Sequence, residues 1–282
     1  MPLDEQSTLV GLAVLLGLLI GSFLNVVIYR LPKMLERQWK EECAGMRGEN
    51  FDELAAFNLV VPRSSCPHCG HSIRWYENIP VASYLVLRGK CSACQAPISA
   101  RYPAIELATA FLFGFCAWKW GPTLMTVASF GFVAVLLSLA IIDWDTTLLP
   151  DDLTLPLLWA GLIAAALQWT PITLNASIWG AVGGYLSLWS VYWAFKLITG
   201  KEGMGYGDFK LFAALGAWFG WQALIPIILI ASVIGAIVGI AMKFTTGLRE
   251  GGYVPFGPFL AGAGLCALAF GPASLMSVFG LS

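Results

Sequence analysis

Two groups of side chains in this chain have types and spacings suited to chemistry. The first is a set of four thiols. Cys66-Pro-His-Cys69-Gly is matched by Cys91-Ser-Ala-Cys94, with residues 70–90 between the pairs. Each CxxC turn presents two thiolates, and two such pairs close a tetrahedral Zn²⁺ shell. The separation of 21 residues lies just beyond the usual ~15–20. Gly70, directly after the first pair, suits a tight turn in which backbone N–H groups reach the sulfurs. A redox dithiol or unlinked thiols are the other readings; a redox motif needs only one pair, and a reducing compartment disfavours stable disulfides. Four thiolates complete the shell, leaving out His68 and His71, the only histidines. Such a metal has no open position for catalysis and would be structural. It would staple a segment too short to fold on its own core. Cys43, Cys116 and Cys266 have no partner by spacing, and the last two read as packing residues.

The second group is a set of carboxylates placed against apolar runs. GMGYGDFK (203–210) brings Asp208 to the lip of LFAALGAWFGW, and LSLAIIDWDTTLLPDDLTLP (137–156) brings Asp143 to the end of a long apolar stretch. An ionisable group at such a depth is costly, and function is its default explanation. Asp208 also has a simpler reading as a helix N-cap, but Ser or Asn would cap with less desolvation. Asp151 and Asp152 follow Pro150 and read as the acidic first turn of a helix. Asp145 reads as a solvated loop residue. Two aspartates at matching depth suggest an aspartic dyad sharing one proton. The ionised member takes a proton from an attacking water while the protonated member polarises a peptide carbonyl. There is no G-x-S-x-G, no HExxH and no Cys–His pair beyond the thiol turns. The alternative from a different class is a membrane transporter or channel in which paired acids relay protons or bind cations. Inverted repeats are common in such proteins, and none is visible here.

The elements that must position these groups follow from composition. Hydrophobic residues are 58% of the chain and charged residues 12%, with a mean hydropathy of +0.74. Soluble domains carry about 25% charged residues, so an all-α polytopic membrane protein is expected. Apolar windows predict about eight transmembrane helices near 8–29, 104–119, 123–142, 153–169, 174–195, 209–221, 223–242 and 257–278. A small zinc-stapled insert falls between the first two. Of sixteen Lys and Arg, only Lys119 lies on the side opposite the large polar region. The positive-inside rule then puts residues 30–103 and the loops near 143–152, 197–208 and 243–256 in the cytoplasm, with both termini outside. Asp4 and Glu5 precede the first span and Arg30 and Lys33 follow it. That is the reverse of a cleaved signal peptide, so an N-out anchor is expected. Three regions result: 1–29 as anchor, 30–103 as cytoplasmic zinc-binding domain, and 104–282 as membrane peptidase bundle. Residues 33–57 read as one or two short amphipathic helices broken near Gly45 and Gly48, and no role is assigned to them.

Three local features refine this picture. Gly21, Ser22 and Asn25 form a small polar stripe in the first span, suited either to close helix packing with one interhelical hydrogen bond or to a direct role. A helix from Asp208 to Trp221 is about 21 Å long against a ~30 Å hydrocarbon core. The bilayer must thin there, or the loop dip in, and glycines permit the latter. Pro255-Phe256-Gly257-Pro258 opens the last span. Its prolines lack N–H donors, so its carbonyls are available to an extended substrate, or the segment is simply a helix start.

These motifs together resemble those of the bacterial prepilin peptidases, the type IV leader peptidase/N-methyltransferases of the GxGD aspartic protease family. The resemblance covers nearly the whole chain. It runs through GSFLNVVIYRLP (21–32), the thiol segment 66–106, IDWDTTLLPDDLTLP (142–156), GMGYGDFKL (203–211) and VPFGPFLAGAG (254–264). It implies an enzyme of the bacterial inner membrane, serving type IV pilus and type II secretion systems. Such an enzyme cleaves the basic leader of prepilins and pseudopilins after a glycine, then N-methylates the new terminal residue with S-adenosylmethionine. Asp208 matches the GxGD aspartate, and Asp143 the first acid of D-x-x-x-x-x-[IL]-P. Only the resemblance implies methyl transfer, with segment 66–106 essential to it; Glu77, Arg88, Gly89 and Arg101 are the candidates there. The lipid bilayer and the pilin precursors are the expected partners, and no nucleic acid is.

Overall fold

The computed structural model describes residues 3–48, 56–245 and 254–280. Residues 49–55 of the insert and Arg249 of the last basic loop lie outside the described residues. Ordered structure is helical, apart from two isolated antiparallel bridges, Ser65↔Ser72 and Lys90↔Pro97. The helices are α1 (Leu3–Met46), α2 (Ala82–Val86), α3 (Arg101–Trp120), α4 (Leu124–Thr146), α5 (Asp151–Ala166), α6 (Leu174–Thr199), α7 (Tyr206–Phe219), α8 (Leu224–Thr245), α9 (Gly257–Phe270) and α10 (Pro272–Val278). Every stretch expected to span the bilayer is helical, the last one in two pieces, α9 and α10. Among the described residues, three helical segments are long and apolar enough to cross a membrane: Asp4–Met46, Leu124–Thr146 and Trp221–Phe244. The chain forms two compact units, Met1–Ala134 and Val135–Ser282, with the boundary inside α4.

In the first unit α1 lies along α3 because small residues let the backbones meet. A Cβ on Gly17 would stand 2.6 Å from Ala110 Cα, and one on Gly21 2.7 Å from Glu106 Cα. Asn25 Nδ2 donates to Gly21 O and to Tyr102 O, both at 3.2 Å, so the polar stripe does pack helices and carries interhelical hydrogen bonds. The expectation for residues 33–57 needs correction. Instead of ending near Tyr29 and giving way to separate short helices, α1 runs on through Pro32 to Met46. Residues 33–46 are rich in Lys, Arg, Glu, Gln, Met and Leu, strong helix formers. Gly45 does not break the helix; the chain leaves it at Gly48, with φ +67°. Arg30, buried on α1, donates to Asn58 O (2.9 Å) and Pro62 O (2.7 Å) and so ties the returning chain to the helix.

In the second unit α7 is the central element, with nearly every residue from Asp208 to Phe219 buried. Its 14 residues span about 21 Å. It is gripped by α6, where Gly180 and Gly216 bring the two backbones into direct contact and a Cβ on Gly184 would meet Phe212 O at 2.7 Å. Two polar contacts fix its far end: Ser177 Oγ donates to Ala217 O (2.6 Å) and Trp218 Nε1 to Leu157 O (2.8 Å). The last expected span is interrupted at Gly271, φ +82°, which separates α9 from α10.

Candidate functional site

The thiol lobe connects α1 to α3. In the first knuckle Cys66 N–H donates to His71 O and Gly70 N–H to Cys66 O, both at 2.9 Å. In the second, Cys91 N–H donates to Ala96 O (2.9 Å) and Gln95 N–H to Cys91 O (3.0 Å). The turns are equivalent, each with a left-handed residue after its second cysteine: Gly70 at φ +71° and Gln95 at +60°. The four sulfurs lie within 4.8 Å of one another, with Cys66 and Cys91 buried and Cys69 and Cys94 exposed. Backbone N–H groups of His68 and Cys69 pull the Cys66 thiol down to about 7, and those of Cys94 and Ala93 lower Cys91. Cys69 shifts the other way: despite the His71 amide, burial and the neighbouring sulfurs push its thiol up to about 12, so it is the close clustering of four sulfurs that suits a soft divalent metal.

The two aspartates of interest both lie in the second unit. Asp143, at the C-terminal end of α4, is 4% exposed, and its Oδ2 accepts the Gly257 N–H at 2.9 Å. Asp208, in the first turn of α7, is 6% exposed, and its Oδ2 accepts the Gly205 N–H at 3.2 Å. Asp208 therefore caps its helix, but only with one oxygen; Oδ1 is buried with no hydrogen-bond partner. The two carboxyls are electrostatic neighbours. Leu149 packs against α7 and α9: a Cβ on Gly207 would stand 2.6 Å from Leu149 Cβ, and one on Gly257 would stand 3.1 Å from Leu149 Cδ1 and 2.6 Å from Asp143 Oδ2. Glycine at 207 and 257 is what lets α7 and α9 close around Leu149 and Asp143.

The remaining acids fall as their sequence context suggests. Asp145 is exposed. Asp151 and Asp152 occupy the first turn of α5, with Pro150 as N-cap. Asp151 is 53% exposed and takes both carboxylate contacts of Lys210 Nζ at 2.7 Å. Pro255-Phe256-Gly257-Pro258 does open α9: Phe256 O accepts the Phe259 and Leu260 N–H groups at 3.1 and 3.2 Å, as at a helix start, and the Gly257 amide donates to Asp143 Oδ2.

In the lobe, Glu77 accepts the Arg74 N–H at 2.8 Å and stands 3.3 Å from His71 Nε2. Hydrogen bonds from Ser92 and from the Arg74 amide hold its carboxyl down to about 2. Arg88 and Arg101 are exposed, and Gly89, at φ +68°, packs against Tyr84. Of these four candidates, only Glu77 lines the cavity of about 530 Å³ enclosed by the lobe, α1 and α3. The wall also holds Ser22 and Asn25, singled out in the sequence for helix packing or an unspecified direct role, and Glu106, which sequence reasoning did not select. The signal was the polar stripe of the first span and a lone acid in an apolar helix.

Two family models divide the chain in the same way. The bacterial peptidase A24 N-terminal domain matches residues 15–120, and the type IV leader peptidase family matches residues 130–240. The chain is 56% identical over 259 residues to the prepilin leader peptidase/N-methyltransferase of Pseudomonas aeruginosa, covering 92% of this chain and 89% of that one. It is 54% identical to the proteins of the same description in Stutzerimonas stutzeri, over 92% of this chain and 90% of that one, and in Aeromonas hydrophila, over 93% and 90%. No solved structure matches it. Both halves being matched in order, at such identity over nearly full length, the chain belongs to the type IV leader peptidase family.

Proposed function

We propose that this chain is a bifunctional membrane enzyme that removes the leader of type IV prepilins and pseudopilins and then N-methylates the exposed residue. The observation that carries the peptidase half is the pair of buried carboxyls at the ends of α4 and α7, one with an unpartnered oxygen. Asp143 and Asp208 act as an aspartic dyad holding one proton. The ionised carboxylate accepts a proton from water as its oxygen attacks the scissile carbonyl carbon. The protonated partner gives its proton to the carbonyl oxygen, yielding a neutral gem-diol. As the C–N bond breaks, the protonated aspartate gives its proton to the departing amine and the ionised one takes a gem-diol hydroxyl proton, leaving a leader carboxyl group, a free N-terminus and a dyad that again holds one proton. The Gly257 amide fixes Asp143, and the Gly205 amide fixes one oxygen of Asp208, so that the other faces the reaction.

The methyl-transfer half belongs to the first unit, and its support is the description shared by the relatives. S-adenosylmethionine supplies the methyl group to the freed α-amine. The four cysteines would hold a structural Zn²⁺, whose tetrahedral thiolate shell their clustering suits. The division of the chain is 1–29 anchor, 30–103 zinc-binding domain and 104–282 peptidase bundle, with about eight crossings of the bacterial inner membrane. The basic residues favour a cytoplasmic lobe and active site with both termini in the periplasm. Incubating the purified chain with a prepilin and S-adenosylmethionine tests the whole reading. Mass spectrometry should record loss of the leader and gain of one methyl group on the mature pilin. An unprocessed prepilin would refute the peptidase, and a cleaved but unmethylated product the transferase.

A further inference from the structure

The cavity of the first unit is of ligand size, about 530 Å³ within the ~300–1,000 Å³ usual for small-molecule sites. Its floor is made by the membrane helices α1 and α3 and its roof by the lobe. Three observations mark it as built for a ligand. Val81, on its wall, holds φ +58°, ψ −46°, a conformation rare for a β-branched residue and one that persists where surroundings impose it, often at ligand clamps. What imposes it is Glu106, 8% exposed on α3, whose Oε2 accepts the Val81 N–H at 2.7 Å while Ser22 of α1 also bonds the carboxylate. Asn25, 8% exposed, makes both its described side-chain hydrogen bonds through Nδ2. Among the described residues, no donor is recorded on its Oδ1.

We propose that this cavity binds S-adenosylmethionine, with Glu106 and Asn25 as the acceptors that face its cationic end. The inference rests on the methyl-transfer half of the reading above. The methyl donor carries no phosphate, so it needs no glycine-rich phosphate-binding loop. It needs a flat apolar slot for adenine, acceptors for ribose hydroxyls and the ammonium, a donor for the carboxylate, and a negative or aromatic wall for the sulfonium. Tyr29, Tyr84 and Tyr102 supply aromatic surface, Glu77 and Glu106 negative charge, and Arg63 a donor. Arg30 does not compete, because its guanidinium is already given to the Asn58 and Pro62 carbonyls. Glu106 thus has two connected tasks: it positions the Val81 turn and places one negative charge beside the ligand.

Equilibrium binding of radiolabelled S-adenosylmethionine and of S-adenosylhomocysteine to the purified full chain tests this. The first is a sulfonium cation and the second a neutral thioether of nearly the same shape. Glu106→Gln keeps an acceptor for the Val81 amide and removes the charge. It should weaken S-adenosylmethionine about tenfold, with at most a twofold effect on S-adenosylhomocysteine. A purely structural role would weaken both alike. Val26→Trp, which fills the cavity from α1, should weaken both compounds at least tenfold, with melting temperature and protease resistance of the lobe kept as controls. If Val26→Trp fails to fold, Val26→Phe serves as the smaller graft. A wild-type chain that binds neither compound refutes the methyl-transfer reading itself. Wild-type binding that survives a folded cavity-filling variant refutes the cavity assignment alone. Intact donor binding with lost methylation would give the cavity to the acceptor peptide and overturn the proposal.

Discussion

A buried carboxylate oxygen without a donor costs a folded chain on the order of 1–3 kcal/mol or more, and Asp208 keeps one although Ser or Asn would cap α7 without it. That is the residue-scale argument for a reacting group, and it separates the inner acids from the outer ones. Asp143→Asn and Asp208→Asn preserve shape but cannot shuttle a proton, so each should abolish leader cleavage almost completely, since such a pair acts as a unit. Asp145→Asn, Asp151→Asn and Asp152→Asn should retain cleavage. At most they lose a cap or an exposed ion pair worth about 1 kcal/mol. A dead Asp145→Asn beside an active Asp143→Asn would reverse the assignment. Gly257→Val places a Cβ against Asp143 Oδ2; cleavage should fall at least tenfold, with expression and metal content kept. Wild-type cleavage rates would remove Gly257 from the site. The aspartates were legible in the sequence because charge against an apolar run is conspicuous. The donor on Asp143 was not, because it is a backbone amide 114 residues away and no side chain announces it.

At the scale of elements, apolar length and thiol spacing were readable and helix continuation was not. Pro32 and the charges of residues 30–42 look like a boundary, yet every residue from 33 to 46 except Gly45 tolerates helix well, and α1 continues. The two knuckles were readable because a CxxC turn is a local structure. Their likeness extends to Gln95 standing where Gly70 stands, a left-handed position where glycine would be expected. Four thiolates within one shell should bind about one Zn²⁺ per chain. Cys66→Ser and Cys94→Ser should each lose the metal and render the lobe sensitive to protease, because so small a lobe has little core of its own. Metal analysis beside limited proteolysis checks both halves. A metal-free, protease-resistant lobe would mean that the knuckles fold without the ion.

At the scale of the whole molecule, each unit contains a separate polar constellation set among apolar helices. The second holds the dyad candidates with Gly205, Gly257 and Leu149. The first holds the thiol knuckles and a ligand-sized cavity between lobe and helices. Composition separates the two groups of side chains along the chain, since thiols and turn residues crowd 58–103 while the carboxylates of interest lie beyond 140, but a unit boundary inside α4 has no compositional mark. Nor did the sequence foretell the contribution of α1 and α3 to the first constellation, because Asn25 and Glu106 come together only once Gly17 and Gly21 let those helices touch. Two constellations on two units predict separable activities. Methylation of a pre-cleaved pilin should survive in Asp143→Asn and Asp208→Asn, since methyl transfer to a free amine needs no peptide hydrolysis and no residue of the dyad. Cys66→Ser should show the opposite bias, cleaving prepilin while methylating the mature pilin poorly. Each assay is read separately on purified, folded protein, with a pre-cleaved pilin as the methyl acceptor so that loss of cleavage cannot masquerade as loss of transfer. Disappearance of both activities together in a folded dyad variant would show that the two constellations serve one site.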